Sequence, residues 1–105
     1  MLDFCKTDYF EKWLGKLKDM RARQRIVERI KLAESGDFGD CKPVGDGVFE
    51  VRIHYGPGYR LYYCQRGEQV YLLLIGAKKK TEKLQSQDIK RAKAIKLEAE
   101  GTSKW

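Results

Sequence analysis

Between Val48 and Tyr55, the apolar residues Phe49, Val51, Ile53 and Tyr55 alternate with Glu50, Arg52 and His54. A period of two is that of a half-buried β-strand, whose adjacent side chains point to opposite faces. Glu50, Arg52 and His54 therefore share a face. After a Gly56-Pro57-Gly58 turn, the run from Tyr59 to Gln65 places Arg60 and Tyr62 on the matching face and Leu61 and Tyr63 in the core. A two-strand patch thus gathers a carboxylate, two guanidinium groups, the chain's only imidazole and a phenol. Lys78, Lys79 and Lys80 follow the almost wholly apolar run Val70 to Ile75, which reads as a third strand, and so lie beside the patch.

These residue types are the ones that metal-free RNA cleavage needs. Attack of a 2′-hydroxyl on the adjacent phosphate calls for a general base, a general acid for the leaving oxygen, and cations for the charge that builds up on phosphorus. Arginine suits the last task, because its planar fork matches two phosphate oxygens. Each residue also has a plainer use. Glu50 and Arg52, two apart on a strand, could form an exposed ion pair. A histidine beside a turn is commonly just solvated, and Tyr59, Tyr62 and Tyr63 could simply pack, although Tyr62 shares the polar face and could stack on a base. Taken alone, the patch says that the chain binds a phosphate backbone and little more.

The elements that hold this patch are legible in outline. Phe10, Trp13, Leu14 and Leu17 mark one face of a helix, with Thr7 or Asp8 as its cap. Asp19 marks a break. A second helix is expected from Met20 to Ser35, with Ile26, Val27, Ile30 and Ala33 inward, several arginines outward and Gly36 as its stop. So short a link implies an antiparallel helix hairpin. Residues Leu2 to Lys6 add a possible short strand, and Gly36 to Gly47, rich in Gly and Asp, reads as a loop. A last helix is expected from Ser86 to Glu100, capped by Ser86, with Ile89, Ala92 and Ile95 inward. The helices must bury their apolar sides, and one face of the sheet is the surface available. The other face is then partly open to solvent.

Bulk properties narrow the function. The 105 residues suffice for one domain, 1–105, with a modest core. No run approaches the roughly 18 apolar residues of a membrane span, and no signal pattern opens the chain, so a cytoplasmic protein is expected. Cys5, Cys41 and Cys64 are odd in number and far apart, against both a disulfide framework and a zinc site. Twenty-two Lys and Arg against fifteen Asp and Glu give +7. From Lys78 onward there are nine basic and four acidic residues, so the excess is concentrated there. That suits a polyanion.

Two stretches carry a family resemblance. One is Phe10-x-x-Trp13-Leu14-x-x-Leu17-x-Asp19 followed by Arg25-Ile26. The other runs Gly39-Asp40-x-Lys42-Pro43-Val44-Gly45-x-Gly47-Val48-x-Glu50-x-Arg52-Ile53-x-Tyr55-Gly56-Pro57-Gly58-Tyr59-Arg60-x-Tyr62. With Leu72 to Ile75 and Asp88-Ile89 with Ala92, they cover nearly the whole chain. The sequence resembles the HigB-like "addiction module killer" branch of the RelE/ParE toxin superfamily. The resemblance implies an α+β fold, in which an N-terminal helix hairpin packs on a twisted antiparallel sheet of about three to four strands with a C-terminal helix. It also implies a toxin of a type II toxin–antitoxin pair, acting as a ribosome-dependent mRNA endonuclease without metal or other cofactor. The implied partners are a cognate antitoxin, the ribosome and mRNA, with no membrane. A ParE-like inhibitor of DNA gyrase, or a non-toxic relative that binds RNA or antitoxin, is the alternative.

Carried over by position, Arg52 falls on the strand where RelE-type enzymes place basic catalytic residues, Arg60 matches their Gly-Tyr-Arg arginine, and Lys79 or Lys80 lies where the post-strand loop supplies a cation. His54 corresponds to no fixed RelE residue, though some HigB toxins use histidine. The expected catalytic set is thus Arg52, His54, Arg60 and Lys79, with Glu50, Tyr62, Lys78 and Lys80 as RNA contacts. One segment departs from the branch. Where it usually reads Gly-Gly-Asp-Lys-Ser-Thr-Gln, this chain has Gly76-Ala77-Lys78-Lys79-Lys80-Thr81-Glu82. The last helix also lacks a tyrosine to match the catalytic one of RelE.

Overall fold

Side-chain caps set where the helices begin. In the computed structural model, which describes residues 2–68, 70–79 and 81–101, Thr7 opens helix α1 (Asp8–Lys16). Its hydroxyl accepts from the Phe10 N–H at 3.0 Å and donates to the Leu74 carbonyl at 2.6 Å, so one side chain both caps the helix and fastens it to the sheet. Asp19 caps α2 (Met20–Glu34), accepting from the N–H groups of Arg21 and Ala22. Gly36, at φ +99°, ends that helix. Its N–H bonds the Ala33 carbonyl and the Asp37 N–H bonds that of Leu32, the paired closure that a left-handed residue permits.

Five strands form one mixed sheet in the order β1 (Asp3–Lys6), β5 (Val70–Lys78), β4 (Tyr59–Arg66), β3 (Val48–Ile53), β2 (Cys41–Gly45). β1 runs parallel to β5, and the rest is antiparallel. The expected α+β architecture holds, with a wider sheet. The additional strand β2 lies in the stretch read as a loop. Asp46 and Gly47, at φ +54° and +75°, make the two-residue turn whose twist suits a hairpin, and Pro43 sits where a proline is tolerated, on an edge strand.

Helices cover both faces of the sheet. Phe10 of α1 and Ala22, Ile26 and Ile30 of α2 pack with Val51, Ile53, Tyr59, Leu61, Tyr63, Tyr71 and Leu73. Val27, expected inward on α2, is exposed. On the opposite face Val48, Tyr62, Cys64, Leu72, Leu74 and Ile75 are buried against Ala92 and Ile95 of helix α3 (Glu82–Glu100). The face expected to lie partly open is therefore covered over its apolar part. α3 begins four residues before the expected Ser86, because Thr81 is its cap and the Ser86 hydroxyl turns inward along the helix to the Glu82 carbonyl. The extra residue Leu74 on β5, opposite Tyr62–Tyr63, makes a bulge that turns both Leu74 and Ile75 toward α3. Among the described residues, no helix is long and apolar enough to cross a membrane.

Candidate functional site

Beneath and beside the first turns of α3, the sheet's polar residues come together. Glu50 and Arg52 share that face of β3 with buried Val48, and Arg60 lies directly opposite Arg52 on β4. Glu50 is fully buried. Its Oε1 accepts from Arg52 Nε at 3.1 Å, and its Oε2 lies 3.4 Å from an Arg60 guanidinium nitrogen. Oε2 also accepts from the Tyr62 hydroxyl at 3.2 Å and from the Gln85 side-chain amide of α3 at 2.8 Å. A buried carboxylate is tolerable only when paired and hydrogen-bonded, and this one is surrounded by donors.

This arrangement corrects two expectations. Glu50 is not an exposed ion pair or an RNA contact, because it has no surface; it is the counter-ion beneath the arginines. Tyr62 is equally enclosed, so its ring cannot stack on a base. Burial, and then the Glu50 charge, push the Tyr62 phenol well above its usual range, so that it stays protonated and donates. The arginines themselves reach outward: the Arg52 side chain is 34% exposed and that of Arg60 12%.

They open into a groove of about 360 Å³ whose lining includes Arg52, His54, Arg60 and Lys79, the four residues expected to be catalytic. Lys42, opposite Glu50 on β2, adds a fifth basic residue, and Glu82 and Gln85 of α3 form one wall. Lys79 is brought here by its backbone. Its N–H bonds the Gly58 carbonyl at 2.9 Å, and Gly58, at φ +91°, leaves room for the lysine stem, which a Cβ there would approach to 3.2 Å. His54 is largely exposed at the end of β3, with Nε2 2.7 Å from Oδ2 of Asp40. Lys78 is not brought into this groove. It lines a separate cavity of about 450 Å³ on the other side of β5, with Lys12, Trp13, Lys16 and Arg91. Lys80 lies outside the described residues.

Asp40 and Lys42, which the sequence marks only as part of the family resemblance, and Gln85 carry no site role in the sequence reading. The Asp46-Gly47 dipeptide, a hairpin signal before an alternating run, could have placed Lys42 on a strand. Nothing local marks Gln85, whose role depends on how α3 crosses the sheet. Among the described residues no three His, Cys, Asp or Glu side chains gather as metal ligands would. The groove instead collects basic side chains, the equipment for holding a phosphodiester.

In fold, the chain is similar to the E. coli toxin RelE. An arginine-to-alanine double mutant of RelE in the free state superposes with a TM-score of 0.62 at 20% identity, covering 86% of this chain and 96% of that one. The isolated RelE toxin gives 0.59, also at 20% identity, over 87% and 98%. A protein of Haemophilus influenzae, named only as uncharacterized, is 46% identical over 89 residues, which is 85% of this chain and 87% of its own. The sequence profile of the phage-derived Gp49-like proteins (DUF891) matches residues 12–96, and the chain belongs to that family, part of the RelE/ParE-like toxin superfamily.

Proposed function

We propose that the protein is a toxin of the HigB-like kind that cleaves mRNA on the ribosome without a metal ion, as a single domain. The observation that carries this reading is that Arg52, Arg60, His54 and Lys79 line one groove, with the two guanidinium groups seated on a buried carboxylate. Gly58, Tyr59 and Arg60, the end of the run that resembles the HigB-like branch, line that groove.

Arg52 and Arg60 bind the non-bridging oxygens of the scissile phosphate, and Lys79 and Lys42 hold the flanking backbone. The 2′-hydroxyl loses its proton to a base in the groove as the O2′–P bond forms. The P–O5′ bond breaks, and the 5′ oxygen takes a proton from the Lys79 ammonium or from water. The products are a 2′,3′-cyclic phosphate and a 5′-hydroxyl. Arginine pairs stabilise the dianionic phosphorane through fixed charge, an effect of several kcal/mol in a site that needs no reorganisation.

The test is induced expression followed by mapping of mRNA 5′ ends, repeated with purified protein, ribosomes and message. Cuts within reading frames that vanish in Arg60→Ala support the reading. Intact message with DNA damage signalling would replace it with a gyrase inhibitor, and arrest-free growth with a non-toxic relative.

A further inference from the structure

The loop before β2 is tied down over four consecutive residues. A guanidinium nitrogen of Arg29 donates to the Phe38 carbonyl at 2.7 Å, and the Asp37 carboxylate accepts from the Gly39 N–H at 3.0 Å. The Asp40 carbonyl accepts from the Arg52 N–H at 2.8 Å, joining the loop to the strand that carries the site. Gly39, at φ +63°, passes so close to the Arg29 guanidinium that an added Cβ would overlap it. The product of these constraints is one placed side chain: the Asp40 carboxylate, 2.7 Å from His54 Nε2.

We propose that Asp40 is a positioning residue that holds His54 with its proton on Nε2, leaving Nδ1 as the atom that takes the proton from the 2′-hydroxyl. The inference rests on the RNA-cleaving reading above. An ionised carboxylate can only accept hydrogen bonds, so the ring nitrogen facing it must be the donor. The Asp40 carboxyl is held below its usual range, chiefly by the His54 bond, against the cost of desolvation and with help from the Arg52 and Arg29 charges. It is therefore ionised at neutral pH. A neutral imidazole carries one proton, and with that proton fixed on Nε2 the lone pair is on Nδ1. Exposed pairs of this kind add little to stability. What Asp40 supplies is orientation and tautomer, on the rim of a groove that holds both arginines.

The experiment combines imidazole ¹⁵N NMR with ribosome-dependent cleavage, for wild type, Asp40→Asn and His54→Ala. An asparagine can offer either its oxygen or its amide hydrogen, so it fits either tautomer while keeping shape. Wild type is expected to hold essentially one tautomer at pH 8, and Asp40→Asn a larger share of the Nδ1–H form. The variant's kcat should fall roughly ten- to hundredfold with little change in KM, since general base catalysis is worth about that much or more. A mixed-tautomer wild type, or an Asp40→Asn protein cleaving at the wild-type rate, overturns the proposal, as does full activity in His54→Ala. If the wild type cuts no RNA, the functional reading fails and the proton-transfer role with it. The NMR comparison then still decides whether Asp40 sets the tautomer.

Discussion

Arg52 and Arg60 are register partners on adjacent strands, and both reach the one carboxylate of Glu50. Like charges directly opposite one another destabilise a sheet, so Glu50 is what makes the pair tenable. Glu50→Gln keeps the shape and removes the charge, leaving two arginines without their counter-ion and one of them nearly enclosed. Breaking such a buried pair costs about 3 kcal/mol or more. The urea midpoint should fall accordingly, whereas exposed Glu28→Gln on α2 should stay within about 0.5 kcal/mol of wild type. An unchanged midpoint for Glu50→Gln would mean that the carboxylate is not what offsets the arginines.

On the RNA-cleaving reading, Arg60, the more enclosed of the two groove arginines, should be the less replaceable in function. Loss of a preorganised cation that meets transition-state charge costs about 10²–10³ in rate. Arg60→Ala should therefore relieve growth arrest while remaining folded. Arg60→Lys should restore little, because a point charge cannot both lean on Glu50 and present a fork to phosphate. Full toxicity of either variant, at equal protein levels, would remove Arg60 from the site.

Position 76 tests how closely α1 packs on β5. A Cβ added at Gly76 would overlap the Trp13 ring of α1, which packs there across β5. Overpacking of this kind costs roughly 1–3 kcal/mol. Gly76→Ala should lower the thermal midpoint, and Trp13→Leu added to it should cost less than Trp13→Leu alone. Strict additivity of the two substitutions would show that the overlap is relieved elsewhere.

The strands that carry the site were legible because Val48–Tyr55 and Tyr59–Gln65 alternate cleanly, and alternation assigns faces without knowledge of the fold. It assigned Glu50, Arg52, Arg60 and Tyr62 to one face, and they share it. Burial was not legible, since it depends on what crosses that face. α3 has alanine and isoleucine on a narrow stripe amid many charges, a pattern that says helix but not where it lies. Its crossing turned Tyr62 from a surface phenol into a buried donor and made Gln85 a wall of the groove. β2 was hidden for another reason. Its edge position demands no apolar alternation, so Cys41–Gly45 reads as a loop although all of it but Val44 pairs in register with β3.

The thiols offer a check on α3 that is independent of function. Cys64 is buried under α3, and burial pushes its thiol up to about 11, while Cys5 and Cys41 are exposed. Only the thiolate attacks a disulfide reagent. At pH 8 the native protein should show two reactive thiols, with the third appearing on denaturation. The linkage follows in sign. The folded thiol has the higher pKa, so its contribution is complete below the ordinary value of 9.0 and is lost as pH rises toward 11, where only the unfolded chain has released its proton. Stability of wild type should therefore drop more steeply between pH 9 and 11 than that of Cys64→Ala. Three thiols reacting at similar rates in the native state would place α3 off the sheet, and with it the Gln85 bond to Glu50.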